Sequence, residues 1–229
     1  MEVLWLFICG CLSVGFYIYY HSKLTPLQNL LFKTVSSLMF LAVGMVAMIK
    51  NPDGKTYAQW IIMGLACGFL GDVVLAGKEI YPIDRHRFVI GGLLLFLIGH
   101  VLYLVALVKQ LVYPVYLYVA IILLITMVMI VVNQLKVKLA FGKTKWAVFL
   151  YTLAINTLLI VAILNLFGDW SGYKILIALG ALFFVVSDYV LSLLYFSKLS
   201  SLYRRRLKTL NLLLYYGGQF LLALSILWA

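Results

Sequence analysis

Four ionisable residues lie inside long apolar runs of the sequence, where a charged side chain is costly. They are Lys33, Asp72, His100 and Asp188. An ionisable group at the centre of a bilayer costs at least about 2.5 kcal/mol, so it normally faces a partner or a water-filled cavity. Two carboxyl groups held in different protonation states can supply both a proton donor and a stabilising anion. The two aspartates together therefore favour a functional interpretation over simple helix packing.

The composition requires a membrane around these residues. Of the 229 residues, 66% are apolar and 11% are charged, whereas a soluble domain is about 45–50% apolar. A soluble fold of this size cannot bury so much apolar surface. A soluble enzyme, a disordered chain and a disulfide scaffold are therefore excluded. Continuous apolar runs favour helices over a β-barrel, so we predict an all-α polytopic membrane protein with one domain over residues 1–229.

The apolar runs predict eight transmembrane helices. The expected spans are 3–20, 27–49, 58–77, 88–109, 113–132, 145–167, 172–196 and 209–228. Turn residues mark most of the breaks, and the charged run 203–206 marks the last one. The first run lacks the basic start and the cleavage site of a signal peptide, so we expect a retained helix.

The basic residues predict the orientation of the bundle. The net charge is +11, and most of the 18 lysines and arginines lie in loops that follow odd-numbered spans. The positive-inside rule places those loops in the cytoplasm and both termini outside. We expect the host to be a bacterial cell membrane or, in a eukaryote, the endoplasmic reticulum. In this setting basic loops contact anionic lipid heads, and nucleic acid is not an expected partner.

The polar residues within the spans fall on one side of the predicted bilayer. The neutral ones are Asn156, Gln219, Tyr103, Tyr151 and Tyr215. Counted at about 1.5 Å per residue from the predicted cytoplasmic ends, the ionisable residues and both amides lie in or near the cytoplasmic half. We therefore predict one polar chamber on that side. Lys33 is either the counter-ion of an aspartate or a side chain that extends to the interface, and His100 has either a packing or a functional role.

Spans 3 and 7 resemble each other. Gly64 and Gly180 precede Asp72 and Asp188 by two helical turns, and both aspartates stand in a small-Asp-x-Val-Leu sequence. Both spans cross the predicted membrane in the same direction. This pattern indicates two four-helix halves related as a parallel repeat.

Four segments of the sequence, taken together, resemble the YhhN family, which includes the animal lysoplasmalogenases. The segments are Gly64-x3-Gly68-Phe69-Leu70-Gly71-Asp72-x2-Leu75, Phe88-x2-Gly91-x4-Phe96-x3-His100-x2-Tyr103, Gly180-Ala181-x-Phe183-x3-Ser187-Asp188-x2-Leu191 and Tyr215-Tyr216-x2-Gln219-x-Leu221. Lys33-Thr34 resembles the family's Lys-Pro-x-Thr element, although Thr34 stands where the proline usually is. The resemblance extends from about residue 30 to the end of the sequence.

The resemblance implies hydrolysis of the vinyl ether bond of lysoplasmalogens, without a metal or another cofactor. The products would be a fatty aldehyde and glycerophosphoethanolamine or glycerophosphocholine, and the partners would be a lysophospholipid and the bilayer. Cleavage needs a positioned acid and an anion near the oxocarbenium ion, so we predict Asp72 and Asp188 as the catalytic pair. The expected substrate-binding residues are Lys33, His100, Asn156, Tyr215 and Gln219. The basic residues Arg85, Arg87 and Arg204 to Arg206 would hold the phosphate.

Three other functions fit part of the pattern. A proton-coupled transporter of a small molecule or lipid would use an intramembrane lysine and aspartate, and broken helices would favour it. An intramembrane aspartyl protease would use both aspartates, but Gly71-Asp72 only half matches its motif. A metal hydrolase built on Asp72, His100 and Asp188 would draw its ligands from three helices. The oligomeric state is left open by the sequence.

Overall fold

The computed structural model describes residues 1–108, 110–132, 145–197 and 200–229, and these residues form eight α-helices and a final 3₁₀ turn. The helices are α1 (Glu2–Tyr20), α2 (Pro26–Lys50), α3 (Lys55–Ile80), α4 (Arg85–Val108), α5 (Val115–Val132), α6 (Lys145–Gly168), α7 (Gly172–Phe196) and α8 (Ser201–Ser225). Seven of these described helices are long and apolar enough to cross a membrane, whereas the apolar stretch in α5, Val115–Val128, is shorter. The predicted all-α, multi-pass architecture is confirmed. Five loop lysines used to predict the orientation, Lys109, Lys136, Lys138, Lys143 and Lys198, lie outside the described residues.

A local sequence signal explains the start of α2. Thr25 and Gln28 form a reciprocal capping box at the start of α2, with Pro26 in the first turn, an arrangement that satisfies backbone N–H groups left open at a helix start. The start of α8 differs from the prediction: the helix begins at Ser201, and the charged run at 203–206 is helical. Arginine is a good helix former, so the run extends the helix instead of ending it.

The helices pack in the same way in both halves of the chain. In the first half α3 packs against α2 and α4, and in the second half α7 packs against α6 and α8. The halves meet through α4 against α6 and through α2 against α8. Each pairing in one half thus has a counterpart in the other, as a parallel repeat predicts.

Glycines fix the same close crossing in both halves. A Cβ added to Gly99 would lie 3.1 Å from the backbone oxygen of Gly64, and a Cβ added to Gly218 would lie 3.1 Å from that of Gly180. Small residues permit such backbone contact between helices in lipid. Because Gly64 and Gly180 lie two turns before Asp72 and Asp188, these crossings bring both aspartate-bearing helices close to their neighbours.

Candidate active site

Asp72 lies in the first half of the bundle with a cation and a hydroxyl beside it. The Lys33 Nζ of α2 lies 2.8 Å from Asp72 Oδ1, and the Ser37 hydroxyl, one turn further along α2, donates to Oδ2 at 2.5 Å. All three residues are buried. Lys33 is therefore the counter-ion of an aspartate and not a side chain that extends to the interface.

Asp188 has a different partner in the second half. The Tyr151 hydroxyl of α6 donates to Asp188 Oδ2 at 2.7 Å. Within the described part of the chain, no lysine or arginine forms an ion pair with Asp188. The two carboxyl groups therefore occupy corresponding positions in the repeat but have unlike electrostatic surroundings.

A single cavity, the central cavity, is lined by both aspartates. Its polar lining residues are Lys33, Asp72, His100, Tyr151, Ser187, Asp188, Asn211 and Tyr215. The cavity encloses about 40 Å³, which is enough for at least one water molecule. Residues from both halves of the chain thus form one polar cavity that contains both aspartates.

His100 presents an unused ring nitrogen within this cavity. Its Nδ1 lies 2.6 Å from the backbone oxygen of Phe96, so Nδ1 carries the proton and donates it to that carbonyl. Nε2 is then an acceptor, and among the described residues it has no hydrogen-bond partner. Only 4% of the residue is exposed. A buried acceptor of this kind is normally satisfied, so the geometry favours a ligand or a water molecule at this nitrogen.

Two predicted binding residues lie behind the cavity wall. Gln219 accepts a hydrogen bond from Tyr103 at 2.8 Å and donates one to Tyr215 at 3.1 Å. Asn156 donates toward Thr126 of α5 at 3.5 Å. Neither amide is among the residues that line the central cavity, so Gln219 supports Tyr215 from behind, and Asn156 faces the α5 side of α6.

An apolar groove adjoins the central cavity on the side of α4, α6 and α7. Most of its lining is aliphatic or aromatic, with Leu93, Phe96, Ile155 and Val185 among the lining residues. Asp188 belongs to the lining of both spaces. The Asp188 carboxyl group therefore lies where the apolar groove adjoins the central cavity.

A basic vestibule adjoins the central cavity on another side, at the end of the bundle where α2 and α8 begin. It encloses about 220 Å³, and it shares Lys33 and Asn211 with the central cavity. Its charged and amide lining residues are Asn29, Lys33, Lys78, Glu79, Arg85, Arg204, Lys208 and Asn211. Of the arginines expected to hold a phosphate, Arg85 and Arg204 line the vestibule. Arg87 instead pairs with Asp84 at 3.0 Å.

Several residues that contact Asp72 or line the basic vestibule were absent from the sequence-based prediction of the site. Ser37 could have been found, because it lies one turn after Lys33 on the same helix face. Lys78 and Lys208 were assigned only to basic loops, yet they lie within α3 and α8. Their long aliphatic side chains allow the charged amines to reach the vestibule. The spacing of residues in the sequence does not reveal this placement.

No metal centre is evident in the described ranges, where no group of three or more histidine, cysteine, aspartate or glutamate side chains is placed to hold a metal ion. Asp72 and Asp188 instead have the lysine, serine and tyrosine partners described above.

These features define a multi-pass helical membrane protein with an acidic cavity between an apolar groove and a basic vestibule. The chain belongs to the YhhN family, whose model matches residues 28–226. This match confirms the resemblance noted in the sequence. No curated protein and no solved structure matches the chain.

Proposed function

We propose that the protein is a lysoplasmalogenase-like hydrolase that cleaves the vinyl ether bond of a lysoplasmalogen. The order of the three spaces carries the proposal: an apolar groove, then two carboxyl groups, then a basic vestibule. A lysoplasmalogen has the same order of an alkenyl chain, a vinyl ether and a phosphate-bearing head. With the chain in the groove and the phosphate in the vestibule, the vinyl ether lies beside the aspartates.

The first step requires a proton on the β-carbon of the vinyl ether. Asp188 is the donor in this mechanism, because no described cation pairs with it and a neutral carboxyl group is less costly there. The carbon–carbon double bond supplies the electron pair for the new C–H bond, which leaves an oxocarbenium ion. Asp72 remains ionised beside Lys33 and stabilises that cation electrostatically.

The second step requires water at the oxocarbenium carbon. His100 Nε2 is the acceptor in the central cavity that can hold this water and take its proton. The resulting hemiacetal collapses when its hydroxyl proton is lost and the glyceryl oxygen is protonated. The products are a fatty aldehyde and a glycerophospho-alcohol, so one water molecule is consumed and no oxidant or reductant is needed.

The proposed orientation follows the basic residues. The vestibule faces the cytoplasm, and both termini lie on the opposite side of the membrane, as the positive-inside rule expects. The substrate would then enter from the cytoplasmic leaflet with its phosphate at the basic end of the bundle. A cysteine-labelling experiment with a membrane-impermeant reagent tests this arrangement at introduced surface positions near residues 53 and 203.

Lipid mass spectrometry of the purified protein tests the proposed reaction. Incubation with an alkenyl lysophospholipid should release fatty aldehyde, whereas the saturated alkyl ether analogue should remain intact. Asp188→Asn should abolish release, and Asp53→Asn, at an exposed loop position, is the matched control that should not. Aldehyde formation by Asp188→Asn at more than about a tenth of the wild-type rate would contradict the role of Asp188, and none by the wild-type protein would overturn the proposal.

The transporter alternative gains no support from the helices that form the site. It predicts interruptions near the bilayer midplane, but α2, α3 and α8 are continuous α-helices and α7 is continuous from Gly172 to Phe196.

A further inference from the structure

The basic vestibule contains an acceptor pair among its cations. Asn29 of α2 donates through Nδ2 to Glu79 Oε2 of α3, and both residues line the vestibule. Asn29 is 5% exposed, and its Oδ1 has no hydrogen-bond partner among the described residues. Because Nδ2 already donates to Glu79, the carbonyl oxygen is the atom of the Asn29 amide that can accept a hydrogen bond from a ligand.

Glu79 retains acceptor capacity beside this oxygen. Lys208 lies 3.8 Å from Glu79 Oε1, which is an ion-pair distance but longer than an ordinary hydrogen bond. A ligand that carries both a positive charge and N–H donors could therefore contact Asn29 Oδ1 and the Glu79 carboxylate together. Buried acceptors are rarely left without a donor, so this pair indicates a cationic donor group in the ligand.

The same vestibule also supplies cations for an anion. Lys78, Arg85, Arg204 and Lys208 line it, alongside Asn29 and Glu79. Such cations suit a phosphate, which accepts hydrogen bonds from lysine and arginine. The lining of the vestibule thus combines cations that suit a negative group with an acceptor pair that suits a positive group with hydrogen-bond donors.

We propose that the basic vestibule selects a phosphoethanolamine head group, with the primary ammonium on Asn29 Oδ1 and Glu79 and the phosphate among the cations. This inference extends the proposed function by naming the head group of its substrate. A choline head has no N–H donor and would leave Asn29 Oδ1 unsatisfied. Choline sites rely on aromatic faces instead, whereas Asn29 Oδ1 and the Glu79 carboxylate are hydrogen-bond acceptors.

Binding of saturated ether lysolipids tests the selection without any bond cleavage. Native mass spectrometry in detergent would compare one alkyl chain carrying ethanolamine, N-methyl-, N,N-dimethylethanolamine or choline phosphate. Affinity should fall with each added methyl group, by about tenfold or more over the series, because charge-assisted hydrogen bonds are lost. Equal affinity across the series overturns the proposal, and this readout needs no variant.

Two substitutions test whether Asn29 and Glu79 cause the preference for the ethanolamine head group. Asn29→Leu removes the amide oxygen at similar volume, and Glu79→Gln removes the charge. Either should reduce the ethanolamine-over-choline preference to within about twofold while retaining binding of the choline lipid. Glu2→Gln, which breaks the exposed Glu2–Lys50 ion pair, is the matched control and should retain the preference.

The outcomes separate this inference from the proposed reaction. Head-group selection without cleavage of any vinyl ether would sustain the vestibule site and refute the hydrolase. Cleavage of the ethanolamine and choline lipids with equal efficiency would sustain the hydrolase and refute the selection.

Discussion

Lys33 and Tyr151 make corresponding contacts in the two halves of the bundle. Lys33 of α2 binds Asp72 of α3 at 2.8 Å, and Tyr151 of α6 binds Asp188 of α7 at 2.7 Å. One aspartate thus has a cation as its partner, and the other has a neutral phenol. In the proposed mechanism this difference makes Asp188 the proton donor and Asp72 the stabilising anion, and the following predictions test these roles.

Replacing either aspartate should stop turnover. Asp188→Asn removes the proposed proton donor and should lower the rate of aldehyde release by at least about 100-fold, since a positioned acid contributes about 10²–10⁴-fold. Asp72→Asn removes the anion and should also be severely impaired. A variant of either kind that keeps more than about a tenth of the wild-type rate would contradict its role, with Asp53→Asn as the control.

Breaking the buried ion pair should affect stability as well as activity. Lys33→Met leaves the Asp72 carboxylate buried without its cation and should destabilise the protein by about 3–5 kcal/mol. The double variant Lys33→Met with Asp72→Asn buries no charge at this pair and should recover most of that loss. Thermal unfolding in detergent measures both effects. A double variant as unstable as Lys33→Met would show that the pair's charge does not decide stability.

Substitutions that fill the apolar groove should impair cleavage of long-chain substrates more than cleavage of short-chain substrates. Leu93→Trp or Val185→Trp adds bulk to the groove lining and should lower kcat/KM for a long-chain lysoplasmalogen by about tenfold or more, because misplacement of the reacting bond is costly. Cleavage of a short-chain vinyl ether glycerophospholipid should change little. Equal losses for both substrates would show that the groove does not hold the chain. Leu94→Trp, at an exposed position on the same helix, controls for the substitution itself.

Enlarging a crossing glycine should disturb the bundle. Gly218→Leu places a side chain where a Cβ alone would lie 3.1 Å from the Gly180 backbone oxygen, and overpacking of this kind costs about 1–3 kcal/mol or more. Gly15→Leu is the matched control, since a Cβ at Gly15 meets nothing within 4 Å. Unfolding in detergent should occur at a lower temperature for the Gly218 variant alone; equal stability of the two variants would argue against a tight crossing.

The sequence predicted the eight helices well because the hydropathy signal is strong in a membrane protein. Long apolar runs have few alternatives to a helix, and a charge within a run stands out. The start of α8 was predicted too late, since the charged run at 203–206 was taken as a break in the chain. Charge marks the membrane boundary, but it does not end a helix.

Lateral placement within the bundle could not be predicted from depth alone. Asn156 and Gln219 lie at depths similar to those of the cavity residues, yet neither lines the cavity. Whether a side chain faces the cavity or the neighbouring helix depends on the rotation of each helix, which contacts distant in the sequence determine. The vestibule depends in the same way on α2, α3, α4, α7 and α8 meeting at one end.

The duplicated crossing also bears on how such a site could originate. Two copies of a single four-helix chain, related by a true twofold axis, would hold two identical aspartates with identical neighbours. Mutation of that gene would change both acids at once. In one fused polypeptide, the residues beside each carboxyl group can mutate separately. A lysine can then arise beside one aspartate and a tyrosine beside the other. Two acids that began with the same chemical role can in this way acquire different roles.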